Sequence, residues 1–359
     1  MVLKNEDTSQ YTRDEYIHFS DAPRALMKKL LITGISGFVG GHMVDFLTRN
    51  RQDLEIHGIS RSQPAWDFVP ARPKLLTNHY FHKADLLDIP KIKSFLEKVQ
   101  PDYILHMAAQ SSVAESWKTP VFSFMNNTNI FLNIIDTVRL NDNGARVLSI
   151  GSSEQYGVVS EENLPLSEET PQHPANPYAV ARVAQEQLAK IYADGYGLDI
   201  CCTRSFNHCG PGQTDRFVVS AIVKQFVKIA HGLQDPVIHI GNGSIVRDFV
   251  DVHDVVVAYD LLLSKGKRGE IYNVCSGTGR TINEIITLLS AMKGIDVKVH
   301  EEMAQMRPID NPRIIGSNEK IRRDLGWKPE IPFEKSLESM YHYWDLRMRQ
   351  ELPHGKIIE

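Results

Sequence analysis

The chain has 359 residues, 42% of them hydrophobic and 23% charged, an ordinary globular composition able to fill one large core or two linked ones. Lys and Arg number 40 against 44 Asp and Glu, a formal charge of -4, which argues against a basic surface built for nucleic acid or an anionic membrane. The four cysteines, Cys201, Cys202, Cys209 and Cys275, lack the paired C-x-x-C spacing of a zinc site and are too few for a disulfide framework, which fits a reducing cytoplasm.

Residues 1–28 are polar, contain no apolar run of signal-peptide length and read as an extension ahead of the first strand. Nowhere do about 18 apolar residues run together, so no membrane span is expected. From Lys29, short β-branched or leucine-rich runs alternate with longer amphipathic stretches. The run KLLITGI leads into a helix from Val39 to about Arg49, EIHGIS follows, and a helix from Ile89 to Val99 precedes DYILHMAA. A helix over Phe122 to Leu140, the run RVLSIGS, a helix over Tyr178 to Tyr196 and the run DICCTRS continue the pattern. Such alternation predicts an α/β fold, a doubly wound parallel sheet of Rossmann type with helices on both faces. After about Asn207 the rhythm changes to Gly- and Pro-bearing loops (HCGPGQ, GNGS), short strands (VIHIG, IYNVCSG) and helices over Ile282 to Met292 and Phe333 to Met348. The expected organisation is a first domain over 29–206 and a smaller α/β substrate-binding lobe over 207–345, which can return strands or helices to the first. A tail over 346–359 follows. A ligand would sit between the two, at the carboxyl ends of the strands.

Directly after KLLIT comes Gly34-Ile35-Ser36-Gly37-Phe38-Val39-Gly40, followed by a helix with Met43, Phe46 and Leu47 at helical spacing. A tight turn, a close approach of backbone N–H groups to a pyrophosphate and close packing of helix on strand each disfavour a Cβ. Gly34, Gly37 and Gly40, with Phe38 and Val39 between them, therefore mark a dinucleotide cradle. The G-x-x-G-x-x-G spacing resembles the extended short-chain dehydrogenase/reductase family, and the resemblance runs over about residues 29 to 345. It implies a nicotinamide cofactor. At the end of the second strand, where an NAD-specific protein would set an acid against the ribose hydroxyls, this chain has Ser60-Arg61-Ser62. A guanidinium flanked by hydroxyls suits a 2'-phosphate, which favours NADP(H) and leaves NAD(H) as the alternative. The resemblance further implies that Asp85 and Leu86 contact the adenine and that Met107, Ala108 and Ala109 lie along the cofactor.

Two segments carry the expected chemistry: Gly151-Ser152-Ser153-Glu154-Gln155-Tyr156-Gly157 after a strand, and Asn176-Pro177-Tyr178-Ala179-Val180-Ala181-Arg182 at a helix start. Tyr178 and position 182 stand one helical turn apart on one face. In the family a hydroxyl, here Ser152 or Ser153, orients the substrate oxygen and a Tyr, here Tyr178, passes the proton. A Lys four residues later holds the nicotinamide ribose and lowers the Tyr pKa. This chain has Arg182 instead. Arg keeps the positive charge, but its planar fork reaches further and bonds differently from an ammonium. Three readings stand: a tolerated variant that remains active, an engineered or slowed enzyme, or a binding protein that has lost turnover. Glu154 occupies a position where a plain 4-epimerase tends to have a small residue. A carboxylate there can abstract a proton next to a carbonyl, the step needed to eliminate water across carbons 5 and 6. Reductases of the resulting 4-keto sugar share the same string.

Further strings narrow the resemblance: Ala109-Gln110-Ser111-Ser112-Val113 with Ser116-Trp117, Arg204 with Phe206 to Gln213, Val246-Arg247-Asp248-Phe249, Arg307-Pro308, and Ile315-Gly316-Ser317-Asn318. Together they resemble the group of GDP-4-keto-6-deoxy-mannose reductases and GDP-mannose 4,6-dehydratases, with the serine pair, the Gly-Pro-Gly-Gln loop and Arg247-Asp248-Phe249 closer to the reductases. The resemblance implies substrate contacts from Ser111 and Asn207, and from Lys224, Arg247 and Arg307 on the pyrophosphate and ribose. It implies NADP(H)-dependent reduction at carbon 4 of a GDP-linked 4-keto-6-deoxy sugar, with 4,6-dehydration of GDP-mannose on tightly held NADP+ as the alternative. Ile130 stands where a relative would carry a small residue near the nicotinamide. A homodimer pairing through the helices over Phe122 to Leu140 and Tyr178 to Tyr196 is expected on the same ground. His42, His57, His79 and His82 show no ligand spacing with carboxylates or cysteines, so no metal is expected.

Overall fold

The structure, a computed structural model, describes residues 27–69, 79–142, 144–303, 309 and 311–351. Most of the polar N-terminal stretch, and Arg307 among the expected substrate contacts, lie outside the described residues.

The first half alternates as the periodicity predicts. Strand β1 (Lys28–Thr33) leads into helix α1 (Phe38–Asn50), followed by β2 (Leu54–Ser60), β3 (Tyr80–Lys83), α2 (Ile89–Val99) and β4 (Tyr103–His106). Two short helices, α3 (Val113–Lys118) and α4 (Pro120–Phe124), precede α5 (Ile130–Asn141), β5 (Arg146–Ile150), α6 (Pro177–Gly195) and β6 (Ile200–Ser205). The helix starts carry the expected chemistry: Asp88, Ser112 and Asn176 each accept a backbone N–H of the first turn, of Lys91, Glu115 and Ala179, and Pro177 opens α6 where its missing N–H costs nothing. Alternation along β1 feeds two cores. Leu30 and Ile32 join Met43 and Leu47 of α1 on one face, and Leu31 joins Ile92 and Leu96 of α2 on the other.

The second half consists of β7 (Asn207–Cys209), α7 (Val218–Ala230), β8 (Val237–Ile240), β9 (Val246–Asp251), α8 (Val252–Lys265), β10 (Ile271–Val274), β11 (Gly279–Thr281), α9 (Ile282–Lys293), β12 (Lys298–Glu301), β13 (Arg313–Ile314), α10 (Glu319–Leu325) and α11 (Phe333–Glu351). It does not stay apart from the first. Strand β10 pairs with β6 to complete a seven-stranded parallel sheet ordered β10-β6-β5-β4-β1-β2-β3, and Tyr259 and Leu262 of α8 enter the same core as Leu30. The remaining strands form a small sheet around β9 and a two-stranded ribbon, β8 with β12. A third core there joins Phe226 of α7, Leu289 of α9 and Leu337 and Trp344 of α11. Helix α11 runs on to Glu351, past the expected boundary at 345.

One expected helix is broken. The stretch from Phe122 to Leu140 is not continuous: between α4 and α5 the chain makes a π-helical turn over Met125–Asn129. Asn side chains account for it. Asn126 Nδ2 donates to the Phe122 carbonyl at 3.0 Å and Asn127 Nδ2 to the Ser123 carbonyl at 2.7 Å, satisfying acceptors in the disturbed ladder.

Candidate active site

A cavity of about 490 Å³ opens where the carboxyl ends of the parallel strands meet the second half of the chain. Its wall includes residues that end or follow six of the seven strands: Gly34 after β1, Ser60 and Arg61 at β2, Asp85 and Leu86 after β3, Met107, Ala108 and Ala109 after β4, Gly151 and Ser152 after β5, and Phe206 after β6. This is the crevice in which an open parallel sheet binds its ligand, because the chain turns to opposite faces on either side of β1.

The glycine-rich turn is sterically required. Gly34 has φ +72, and a Cβ there would lie 2.7 Å from the Ala108 Cα; at Gly40 it would lie 2.1 Å from the Ile35 carbonyl oxygen. The first contact keeps the turn against β4, and the second lets α1 sit on its strand. Gly37, Phe38 and Val39 also line the cavity. Arg61 is exposed at its edge with no ion-pair partner among the described residues, beside Ser62, whose hydroxyl bonds that of Ser36 at 3.3 Å.

Ser152, Glu154, Tyr178 and Arg182 line the same cavity, whereas Ser153 is buried and does not. The Asn176 side chain ties together the two segments bearing Glu154 and Tyr178. Its Oδ1 accepts the Ala179 N–H at 2.8 Å, capping α6, while its Nδ2 donates to Glu154 at 2.9 Å. Ser152 Oγ accepts the Glu154 N–H at 3.3 Å.

Arg182 is 4% exposed, and no carboxylate pairs with it among the described residues. Its Nη1 donates to the Ile150 carbonyl at 3.0 Å and to Gln185 Oε1 at 2.6 Å, while Nε, also buried, has no partner. The guanidinium lies over the Tyr178 ring, 5.2 Å from its centroid. Burial, and secondarily this cation, push the nearby His106 imidazole down to about 3. A buried cation without a counter-charge is costly and readily takes an anionic or strongly dipolar partner.

The expected substrate residues divide. Ser111 and Asn207 line the cavity; Lys224 and Arg247 do not. Lys224 pairs with Asp215 at 2.8 Å, and buried Arg247 donates to the carbonyls of Val246 and Asn311 at 2.9 and 2.7 Å. Asn126, Arg216 and Tyr259, which are not among the expected site residues, also stand on the cavity wall. Arg216, exposed and without an ion-pair partner among the described residues, follows the Gly-Pro-Gly-Gln loop closely enough for its position to have signalled it. Tyr259 comes from α8, and its hydroxyl bonds Ser205 Oγ at 2.8 Å; burial holds its phenol above the usual range. Ile130 also lines the cavity, directly after the π turn.

Behind the segments bearing Ser152 and Tyr178 lies a buried ion pair. Arg204 holds Glu186 through two bonds of 3.0 and 2.8 Å, and Glu186 also accepts from Gln155 and Gln172 at 2.7 and 2.6 Å. Every charge is matched there, and Gln155 carries that rigidity into the turn bearing Ser152 and Glu154, since its Oε1 accepts the Ser152 N–H at 2.8 Å.

Known proteins resemble this chain over nearly its whole length. GDP-6-deoxy-D-mannose reductase of Pseudomonas aeruginosa is 33% identical over 326 residues, covering 91% of this chain and 100% of that protein. GDP-mannose 4,6-dehydratase of Yersinia enterocolitica is 28% identical over 351 residues, covering 88% of this chain and 93% of that protein. The solved structure of RMD from Pseudomonas aeruginosa complexed with NADPH superposes with a TM-score of 0.77 at 33% identity, covering 90% of this chain and 99% of that one. A family model described as GDP-mannose 4,6 dehydratase matches residues 31–340, nearly all of the described fold, and the chain therefore belongs to that family of short-chain dehydrogenase/reductase enzymes.

Proposed function

We propose that the chain uses NADPH to reduce carbon 4 of a GDP-linked 4-keto-6-deoxy sugar. The observation that carries this reading is the meeting of Tyr178, Ser152 and Arg182 with the glycine-rich turn in one cavity. The full-length likeness to a GDP-6-deoxy-D-mannose reductase supports it. The residues present fit a dinucleotide: Gly34 and Gly40 leave no room for a side chain where backbone must approach a pyrophosphate. Arg61 with its neighbouring hydroxyls supports NADP(H) over NAD(H), as does the NADPH bound by RMD.

When bound, NADPH supplies the reducing equivalent for carbon 4. The chain's own residues manage the oxygen. Ser152 Oγ already accepts from the Glu154 N–H, so its hydrogen is left to donate to the substrate carbonyl. In this reading Tyr178 gives its proton to the same oxygen, and the Arg182 guanidinium stabilises the negative charge left on the phenol. Ser111, Asn207 and Arg216 take the sugar and diphosphate. Lys224 and Arg247 join them only by leaving Asp215 and the backbone carbonyls they now hold.

Glu154 supports a second reading. It lines the cavity and is oriented by Asn176, as a base for 4,6-dehydration would be. One assay separates the two. Oxidation of NADPH with pre-formed GDP-4-keto-6-deoxy-mannose, and no keto product from GDP-mannose alone, is the outcome expected of the reductase; a 4-keto product from GDP-mannose without added reductant overturns it.

The same proposal includes a cytoplasmic homodimer. Val121 and Phe122 on α4, Met125 directly after it, and Val180 and Ile191 on α6 are exposed apolar residues available to a second copy. All four cysteines are buried and unpaired, and no helix among the described residues is long and apolar enough to cross a membrane.

A further inference from the structure

The ribbon formed by β8 and β12 is parallel, and in its register His239 stands directly beside His300. Side chains alternate along a strand, so Glu302, two positions beyond His300, returns to the same face. The ladder extends that far, with the Glu302 N–H donating to the Ile240 carbonyl at 2.7 Å. One ligand atom from each of His239, His300 and Glu302 lies within 4.8 Å of the others. His239 Nδ1 is 2.7 Å from Glu302 Oε1, and the two imidazole rings meet edge to face with centroids 5.5 Å apart. The backbone beneath is fixed from the other side: Gln225 of α7 accepts the His239 N–H at 2.8 Å and donates to the His239 carbonyl at 3.0 Å. None of the three residues lines the cavity at the sheet ends.

We propose that His239, His300 and Glu302 form a binding site for a divalent cation of the zinc class, separate from the active site. Two imidazoles and one carboxylate are the donor set of a three-ligand zinc site with one open position. Calcium and magnesium, which take oxygen ligands, match it poorly. Side-chain exposure of 44% at His239 and 35% at Glu302 gives water access to the fourth position. Zinc bonds to nitrogen and oxygen are about 2.0–2.2 Å long, so the ion draws the three donors inward and replaces the hydrogen bond between His239 and Glu302. The adjustment is confined to side chains, because Gln225 and the ladder already hold the backbone. The ion also ties β12 to β8, a pair of strands with little cohesion of its own.

The test is calorimetric titration of the full chain, stripped with a chelator, using zinc chloride alone. One ion is expected to bind per chain with micromolar affinity, weakened at least about tenfold in His239→Ala, in His300→Ala and in Glu302→Gln, the last of which keeps the shape of the ribbon. Cobalt(II), used as a second probe, is expected to give the visible absorption of a four-coordinate ion in the wild type and to lose it in all three variants. No uptake by the wild type tighter than about millimolar overturns the proposal, and so does uptake that Glu302→Gln and the two His variants leave unchanged.

Discussion

Arg182 combines two properties that pull apart: it is buried beside Tyr178, the proton donor of the proposed reaction, and no carboxylate pairs with it among the described residues. A charge in that situation serves chemistry at the expense of stability. Arg182→Met is therefore expected to lower kcat by about a hundredfold or more while leaving the melting temperature unchanged or higher, measured by steady-state assay and thermal unfolding. Arg182→Lys, which keeps the charge, should stay within about tenfold of wild type. A wild type without turnover on the 4-keto sugar, beside an active Lys variant, would convert the chain into a binding protein. The buried histidines add a pH dependence of known sign. Burial pushes His42 down to about 4, and burial with Arg182 pushes His106 to about 3, whereas an unfolded-chain histidine titrates near ~6.5. Between roughly pH 6.5 and 4 the unfolded chain takes up protons that the folded chain refuses, so stability falls as pH falls through that window. Urea midpoints are expected to decline from pH 7 to 5, and less steeply in His42→Gln, which can still donate to the Pro211 carbonyl that His42 now meets at 2.8 Å.

At the scale of elements, the π turn carries the clearest consequence. Asn127 is fully buried, and its amide serves the Ser123 carbonyl and, at 3.3 Å, the Gln110 carbonyl. Asn127→Ala removes that donor and is expected to cost about 1–3 kcal/mol, read from denaturant unfolding, and to disturb Ile130 on the cavity wall. The sequence could not announce this turn, because one extra residue barely disturbs a 3.6-residue apolar rhythm that resumes at Ile130, Phe131 and Ile134. Other features were legible for physical reasons. The strand-glycine-helix start is visible because a Cβ is excluded there. The Tyr178 to Arg182 spacing is visible because helical periodicity alone puts both on one face. Lys224 and Arg247 are hard to sort, since a side chain's charge does not tell whether a neighbouring carboxylate, a backbone carbonyl or a cavity takes it. The metal-ligand set was hidden for a topological reason: His239 and Glu302 are 63 positions apart and meet through a parallel pairing that local spacing does not encode.

At the scale of the molecule, the division near residue 206 marks a change of rhythm rather than two independent cores. Strand β10 closes the sheet on β6, and Tyr259 and Leu262 of α8 fill the core beneath β1. A fragment over 27–206 lacks both. It is expected to show no cooperative urea transition and to aggregate, because the β6 edge and the apolar face covered by α8 are left open. The full chain, in contrast, should lose the circular-dichroism signals of both halves together.

The late arrival of β10 also bears on how the protein is made. On the ribosome, β6 is complete at Ser205, but its second partner, β10, begins only at Ile271. At roughly 5–20 residues per second, the nascent chain carries β6 paired with β5 on one edge and open on the other for on the order of several seconds. During synthesis the edge that completes the active-site sheet is thus the part of the molecule that most needs shielding.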